Sequence, residues 1–258
     1  MYAMKSLPRL LAALGILGLL AACGTAYAIS SHFGQVTVSA TATMLPRELP
    51  KKANAPITLS TVTRIKSDDP SSPEVLEKLE FMLDKNGSIE TRGLPTCTLA
   101  KLADTTTKVA RRRCAGALVG TGVGKAAVNI PGQAPFQISS PISIFNAPPT
   151  GGKPTLIAHA YETVPVPKAL LLPIVIERIH SGRYGFRTKV RLPEIAAGYG
   201  APTLAEATLG KTFRRGGKSV GYINAHCVGG RLQVYGTLTF TNGDFFPTTL
   251  TSPCHSPS

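Results

Sequence analysis

The sequence predicts a mainly-β protein, either an antiparallel β-sandwich or a jelly-roll-like fold, with one short α-helix between Cys97 and Cys114. Two observations support this prediction. Short runs of alternating or β-branched residues recur along the chain, and Gly, Pro or Asn separates them at short intervals. Strands do not alternate regularly with helices, which argues against a doubly wound nucleotide-binding fold.

The expected strands are the runs that alternate apolar and polar residues or are rich in β-branched residues. They are 35–43, 56–65, 79–84, 117–129, 137–145, 155–161, 170–179, 185–192, 203–213, 219–227, 232–240 and 245–251. Asn-Gly pairs predict tight turns at 86–87 and 242–243, because both residues tolerate positive φ. The second pair predicts the clearer hairpin.

One helix is expected at about 106–113, with Thr105 or Asp104 as its cap. Apolar residues between the two cysteines recur near a helical period, with an interruption at 105–107. Three consecutive arginines then fall in the last turn, where positive charge favours the helix dipole.

The chain has 258 residues, enough for one large domain or two small ones. We favour a single domain over 29–258. The Pro- and Gly-rich segment 148–152 also allows two sub-domains that meet there.

The N-terminus predicts export, by either of two routes. Lys5 and Arg9 precede an apolar run at 10–22, and Ala-Tyr-Ala at 26–28 has the form of a cleavage site, so residues 1–28 predict a signal peptide. Leu-Ala-Ala-Cys-Gly at 20–24 also has the form of a bacterial lipobox. In that case residues 1–22 are removed and Cys23 is lipidated. Both interpretations stay open, and they predict an extracellular protein or one anchored to the outer face of the cell membrane.

The cysteines predict two disulfides. The chain has five Cys, and setting Cys23 aside leaves Cys97, Cys114, Cys227 and Cys254, an even set in an exported chain. Among the three connectivities we expect Cys97–Cys114, which flank the helix, and Cys227–Cys254. The second pair follows if the last three expected strands form a meander and the chain bends after the last of them.

Several phrases point to a known group of proteins. They are LDKNGSIETRGLPTC, CAGALVGTG, PTLIAHAYETVPVP, YGFRTKVRLPEIAAGYG, GKTFRRGGKSVGYINAHC and FTNGDFF with a later Cys. Together, over about 45–254, the chain resembles a set of exported proteins of soil actinobacteria. The resemblance implies an exported, disulfide-bonded, β-rich protein of uncharacterised function, and it provides no catalytic residues to carry over.

No cofactor or metal site is predicted. The sequence contains none of the common metalloprotease, serine hydrolase, P-loop or dinucleotide-binding motifs. The pairs His159 and Glu162, and Glu177 and His180, lie three residues apart, which places the partners on opposite faces of a strand.

The chain is basic, with 28 Lys+Arg against 14 Asp+Glu and a formal charge of +14. A candidate basic patch comprises Arg111, Arg112, Arg113, Lys211, Arg214, Arg215 and Lys218. Export favours anionic envelope polymers or a membrane surface as partners rather than nucleic acid. The alternative interpretation is that these charges serve only solubility and the end of the helix.

The expected function is therefore non-catalytic binding or a structural role in the cell envelope. The alternative is a carbohydrate-active or other hydrolase on a β-sandwich scaffold. That activity needs two convergent carboxylates, and the strand-borne acids available for it are Glu162, Glu177, Glu194 and Glu206. The chain has no Trp, which weakens the case for sugar binding.

Overall fold

The computed structural model describes residues 28–71 and 73–257. Residues 1–27, which hold most of the predicted signal sequence and the candidate lipidation site Cys23, lie outside the described residues. The strands are β1 (Ala28–Phe33), β2 (Val36–Leu45), β3 (Ala55–Pro56), β4 (Thr58–Ser67), β5 (Leu76–Asp84), β6 (Gly87–Ile89), β7 (Leu118–Val128), β8 (Phe136–Thr150), β9 (Lys153–Glu162), β10 (Lys168–Val175), β11 (Glu177–Ser181), β12 (Tyr184–Arg191), β13 (Gly200–Leu209), β14 (Thr212–Arg215), β15 (Lys218–Gly221), β16 (Ile223–Ala225), β17 (Arg231–Phe240) and β18 (Phe245–Pro253).

Two short helices complete the fold, α1 (Leu99–Leu102) and α2 (Thr107–Arg113). Single 3-10 turns occur at Ala115–Ala117 and Ala196–Gly198. In the described part of the chain, neither the length nor the hydropathy of any helix suffices to cross a membrane.

The two large sheets form a β-sandwich, as predicted. One sheet has eight strands in the order β1-β2-β4-β13-β7-β8-β9-β10, and the other has five in the order β11-β12-β5-β17-β18. All their pairings are antiparallel. The sheets approach each other where β2 lies beside β18 and where β10 lies beside β12. Two small sheets, β14-β15 and β3-β16-β6, complete the strand pairing.

Alternating side chains build the core between the sheets. In β2, residues alternate strictly between buried and half-buried, so valine, alanine and methionine face inward while threonine and serine face outward. The main core joins Met44, Ile144 and Leu156 of the larger sheet to Phe186 and Val234 of the smaller one. Burial of apolar surface from both sheets is what holds the sandwich closed.

A second core lies outside the sandwich. Phe145 and Ile157 lie on the outer face of β8 and β9, where solvent would normally be. The segment 97–117, here called the helical cap, covers them with the fully buried Leu102 and Ala110. The cap joins to β8 by a hydrogen bond of 2.8 Å from the Cys97 amide to the Asn146 carbonyl.

Several expected strands are divided, because the chain passes from one sheet to another within a single run of alternating residues. The run 170–179 comprises β10 and β11, which belong to different sheets and meet at Ile176. The run 219–227 comprises β15 and β16, which meet at the fully buried Tyr222. The run 203–213 is divided between β13 and β14. Alternation of apolar and polar residues shows which residues of a strand are buried. It does not show which neighbouring strand they pair with.

The two Asn-Gly pairs have different outcomes. Asn242-Gly243 forms the predicted hairpin between β17 and β18, and Gly243 adopts φ +91°. Asn86-Gly87 connects β5 to β6, which lie in different sheets, so it turns the chain without forming a hairpin. The segment 148–152, considered as a linker, forms the end of β8 and the turn into its partner β9.

Both disulfides form as predicted. Cys97–Cys114 spans the helical cap with a Cα separation of 5.7 Å, and Cys227–Cys254 has 5.9 Å. The predicted route to the second bridge was wrong, because β15 and β16 do not pair with β17. Instead β18 continues straight to Pro253, and the turn at 228–230 carries Cys227 to it. The Cys254 amide then donates to the Gly230 carbonyl at 3.0 Å.

The cap bridge should contribute most of the stability of the segment that it closes. We expect Cys97→Ala with Cys114→Ala to lower the free energy of unfolding by about 3 kcal/mol. The bridge restricts the unfolded chain, and for a loop of this length the lost conformational entropy is equivalent to about that free energy. Urea unfolding monitored by circular dichroism measures the change, and amide hydrogen exchange locates it.

The matched control is Cys227→Ala with Cys254→Ala. Its global loss should be similar, but amides of the helical cap should keep their protection. Equal loss of cap protection in both double variants would contradict a local role for the first bridge.

Candidate functional site

The C-terminal turn of α2 supplies three arginines. The helix begins after Thr106, whose hydroxyl accepts a hydrogen bond of 3.4 Å from the Val109 amide. The N-cap is therefore one residue after Thr105 and two after Asp104, the two expected candidates. The arginines Arg111–Arg113 occupy the last turn, as predicted. Their positive charge faces the partial negative charge of the helix C-terminus.

These arginines differ in their surroundings. Arg111 is half-buried: its Nε donates to the Ser143 hydroxyl at 2.8 Å and its Nη2 to the Ile142 carbonyl at 3.4 Å. It therefore fixes the helical cap to β8. Arg112 and Arg113 are exposed. Of the three, these two present their charge to solvent.

The hairpin β14–β15 supplies the second group of cations. Arg215 pairs with Lys218 in the register of the hairpin, and Arg214 pairs with Ser219. The turn is Gly216-Gly217, with φ +55° and +77°, values that glycine adopts without strain. Sequence reasoning missed this hairpin, although Gly-Gly between two short basic runs is a recognised hairpin signal.

One contact joins the residue before the hairpin to the end of the helical cap, and another joins the hairpin to Glu90, which follows β6. Lys211 Nζ donates to the Gly116 carbonyl, three residues beyond Arg113. Arg215 Nη1 lies 2.6 Å from Glu90 Oε2. The seven predicted basic residues, here called the basic surface, therefore belong to two segments that are attached to each other. Arg92, which sequence reasoning missed, lies beside them at 3.5 Å from Glu90.

Glu90 is the acid that pairs with this region. Burial raises the pKa of Glu90. Hydrogen bonds from Arg215 and from the Arg92 amide lower it, as do the charges of both arginines, and the resulting pKa is below the ordinary value of a glutamate. Glu90 is therefore ionised and neutralises part of the surrounding charge. Within 28–71 and 73–257, the side chains of Arg112, Arg113, Arg214 and Lys218 have no ion-pair or hydrogen-bond partner.

Three of the four acids that the hydrolase hypothesis names are held by separate cations. Glu162 is buried, with Lys168 Nζ 3.1 Å from Oε1 and the Ala196 amide donating to Oε2 at 3.0 Å. Glu177 lies 2.6 Å from Lys153 and 3.0 Å from Arg187, and hydrogen bonds from these two lower its pKa to about 2.

The other two acids lie elsewhere. Glu206 lies 3.7 Å from Arg64 on the exposed side of β13 and β4, and Glu194 lines a surface cleft beside Glu77. The pockets that reach Glu162, Glu194 and Glu206 are three different ones.

His159 is fully buried beneath the helical cap. Its Nε2 lies 2.9 Å from the Thr105 carbonyl, which accepts only, so Nε2 carries the proton. Its Nδ1 is buried without a hydrogen-bond partner among the described residues. Burial lowers the pKa of His159, against a smaller opposing effect of the Thr105 hydrogen bond. The imidazole is therefore neutral in the folded protein.

This arrangement predicts a loss of stability in mild acid. The pKa of His159 is lower in the folded chain than its ordinary value of 6.5, so below pH 6.5 the unfolded chain binds a proton that the folded chain does not. Stability should fall as the pH falls through 6.5, with a slope of at most about 1.4 kcal/mol per pH unit for one proton. Urea unfolding of the wild type and His159→Gln from pH 8 to pH 5 measures this slope.

The variant should show a flatter pH dependence than the wild type. The same substitution at the exposed His180 is the control, and it should leave the slope unchanged. A slope that is equal in the wild type and in His159→Gln would contradict the assignment to His159.

Comparison with protein-family models, with curated proteins and with solved structures gave no match. The function is therefore inferred from the positions, contacts and charges of the chain's own residues.

Proposed function

We propose that this is an exported cell-envelope protein that binds, without catalysis, a phosphate- or carboxylate-bearing polymer or an anionic phospholipid surface through the basic surface. The observation that carries the proposal is the attachment of the hairpin β14–β15 to the end of the helical cap by Lys211 and Gly116. This contact joins two cation-bearing segments that lie about a hundred residues apart in the sequence.

The disulfides support the proposal of a location outside the cytosol. Two of them form in the described chain, and disulfides persist in oxidising environments outside the reducing cytosol. The proposal of export itself rests on the N-terminal sequence. Cleavage before Ile29 would leave β1 almost intact, and lipidation of Cys23 would place a short tether before it.

The unpaired cations support the proposal of an anionic partner. Four side chains of the basic surface have no partner within the described ranges, so their charge is available to an external anion. Arg112, Arg113 and Arg214 carry guanidinium groups, whose planar fork of donors matches phosphate and carboxylate. Such attraction weakens with salt because exposed charges are screened over about 8 Å at physiological ionic strength.

The test replaces three of these unpaired cations, in the variant Arg113→Gln, Arg214→Gln and Lys218→Gln. Each cation near an anionic lipid surface contributes about 1 kcal/mol, so we expect binding to phosphatidylglycerol-containing vesicles to weaken roughly 100-fold. Sedimentation with the vesicles measures binding to a lipid surface. Titration with soluble polyphosphate measures binding to an anionic polymer. Binding to one anion and not the other identifies the source of the phosphate.

The matched control removes the same charge elsewhere, in Lys66→Gln, Lys78→Gln and Lys189→Gln. These lysines are exposed on β4, β5 and β12, and the surface pairs that two of them form contribute little stability. The control should weaken binding no more than about threefold by long-range attraction. Equal loss in both triple variants, or no binding to vesicles and polyphosphate at low salt, would contradict the proposal.

A further inference from the structure

An apolar pocket opens inside one end of the sandwich. Strands β7, β8, β9, β10 and β13 form its wall, and the segment 192–195 after β12 closes it. Its volume is about 170 Å³, and its lining is almost entirely carbon. The main core of the sandwich does not fill this space.

Small residues create the space. Gly124 and Ala126 of β7, Ala158 and Ala160 of β9, and Ala205 of β13 line the pocket from neighbouring strands. A sandwich core normally fills such positions with branched side chains that interdigitate. Here the pocket-facing positions of three strands stop at a hydrogen or a methyl group, and the pocket opens to solvent beside the exposed Ala205. Larger apolar side chains, such as Ile142 and Leu172, surround them.

The two residues that follow the closing segment are held in a costly conformation. Ala196 and Ala197 adopt φ +50° and +55°, left-handed values that residues with a Cβ rarely adopt. The Ala196 amide donates to the buried Glu162 Oε2 at 3.0 Å, and Ile195 pairs with Gly200 in a bridge. Backbone strain of this kind clusters at ligand sites and persists only where the surroundings fix it.

Glu162 does not itself present a charged surface to the pocket. One carboxyl oxygen accepts from the Ala196 amide, and Lys168 Nζ lies 3.1 Å from the other. The side chain is 2% exposed. The carboxyl group therefore fixes the closing segment, and a ligand in the pocket meets apolar surface. An anionic ligand would lose its water against a lining that is almost entirely apolar, next to the Glu162 carboxylate.

We propose that this pocket binds a small, uncharged apolar molecule or group, an aliphatic or aromatic hydrocarbon about the size of benzene. An apolar cavity of about 150 Å³ suffices to bind benzene. The pocket has that volume and chemistry, and the segment 192–195 on one side of it leads directly into the strained residues Ala196 and Ala197. This site is separate from the basic surface, which lies outside the sandwich, and it does not depend on the proposed function.

The test uses benzene as the probe and the full chain. We expect the wild type to bind one benzene per molecule, with Tm rising as benzene concentration rises, because a ligand that binds only the folded state stabilises it. Perturbed methyl NMR signals should map to the pocket residues. Benzoate, which is similar in shape but charged, should bind at least tenfold more weakly.

Two variants fill the pocket from different strands, Ala160→Leu and Ala205→Leu. Each should fold and lose the benzene-dependent rise in Tm, and the second keeps the test valid if the first does not fold. The control is Ala134→Leu in an exposed turn, which should bind benzene as the wild type does. The proposal would be overturned by a wild type whose Tm and spectrum do not respond to benzene, or by an unchanged response in a folded pocket-filling variant.

Discussion

Strands β8 and β9 are apolar on both faces, and the rest of the architecture depends on covering both. A sheet in a sandwich usually packs one face on the core and exposes the other. Here Phe145 and Ile157 are buried on the outer face, while Ile144 and Leu156 are buried on the inner one. The five-stranded sheet covers the inner side. The helical cap covers the outer side, and its second helix presents Arg112 and Arg113 to solvent.

The cap needs its disulfide because its helices are short. α1 has four residues and α2 has seven, well below the length at which a helix is stable alone. Helix propensity alone does not stabilise segments this short. The missing stability comes from burial of Leu102 and Ala110 against the sheet and from the disulfide Cys97–Cys114. The position of the basic surface thus follows from apolar burial on the opposite side of the cap.

The sequence allowed prediction of what depends on local pattern and not of what depends on long-range pairing. The sandwich, the α2 helix and the bridge that flanks it were predictable, since alternation, helical period and cysteines on either side of one helix are local patterns. The pair Cys227–Cys254 was predicted correctly, but from a strand arrangement that does not form. The changes of sheet at Ile176 and Tyr222 were not, because the apolar alternation continues across them. The seven basic residues were identifiable, but their attachment through Lys211 joins two distant segments. The pocket gave no signal, because the small residues that line it lie on strands whose order in the sheet the sequence does not specify.

The alternation along β8 and β9 ties the two proposed sites to one register. On β8, Ile138, Ser140 and Ile142 face the pocket, while Ser143 and Phe145 lie under the cap. A shift of pairing by one residue would exchange these faces, which would remove both the pocket wall and the seat of the cap. The unfilled space also has a cost. At about 24 cal/mol per Å³, a fully enclosed cavity of this volume would cost about 4 kcal/mol. Because this pocket opens to solvent, its cost is smaller than that, and the register that builds the pocket wall also builds the seat of the cap.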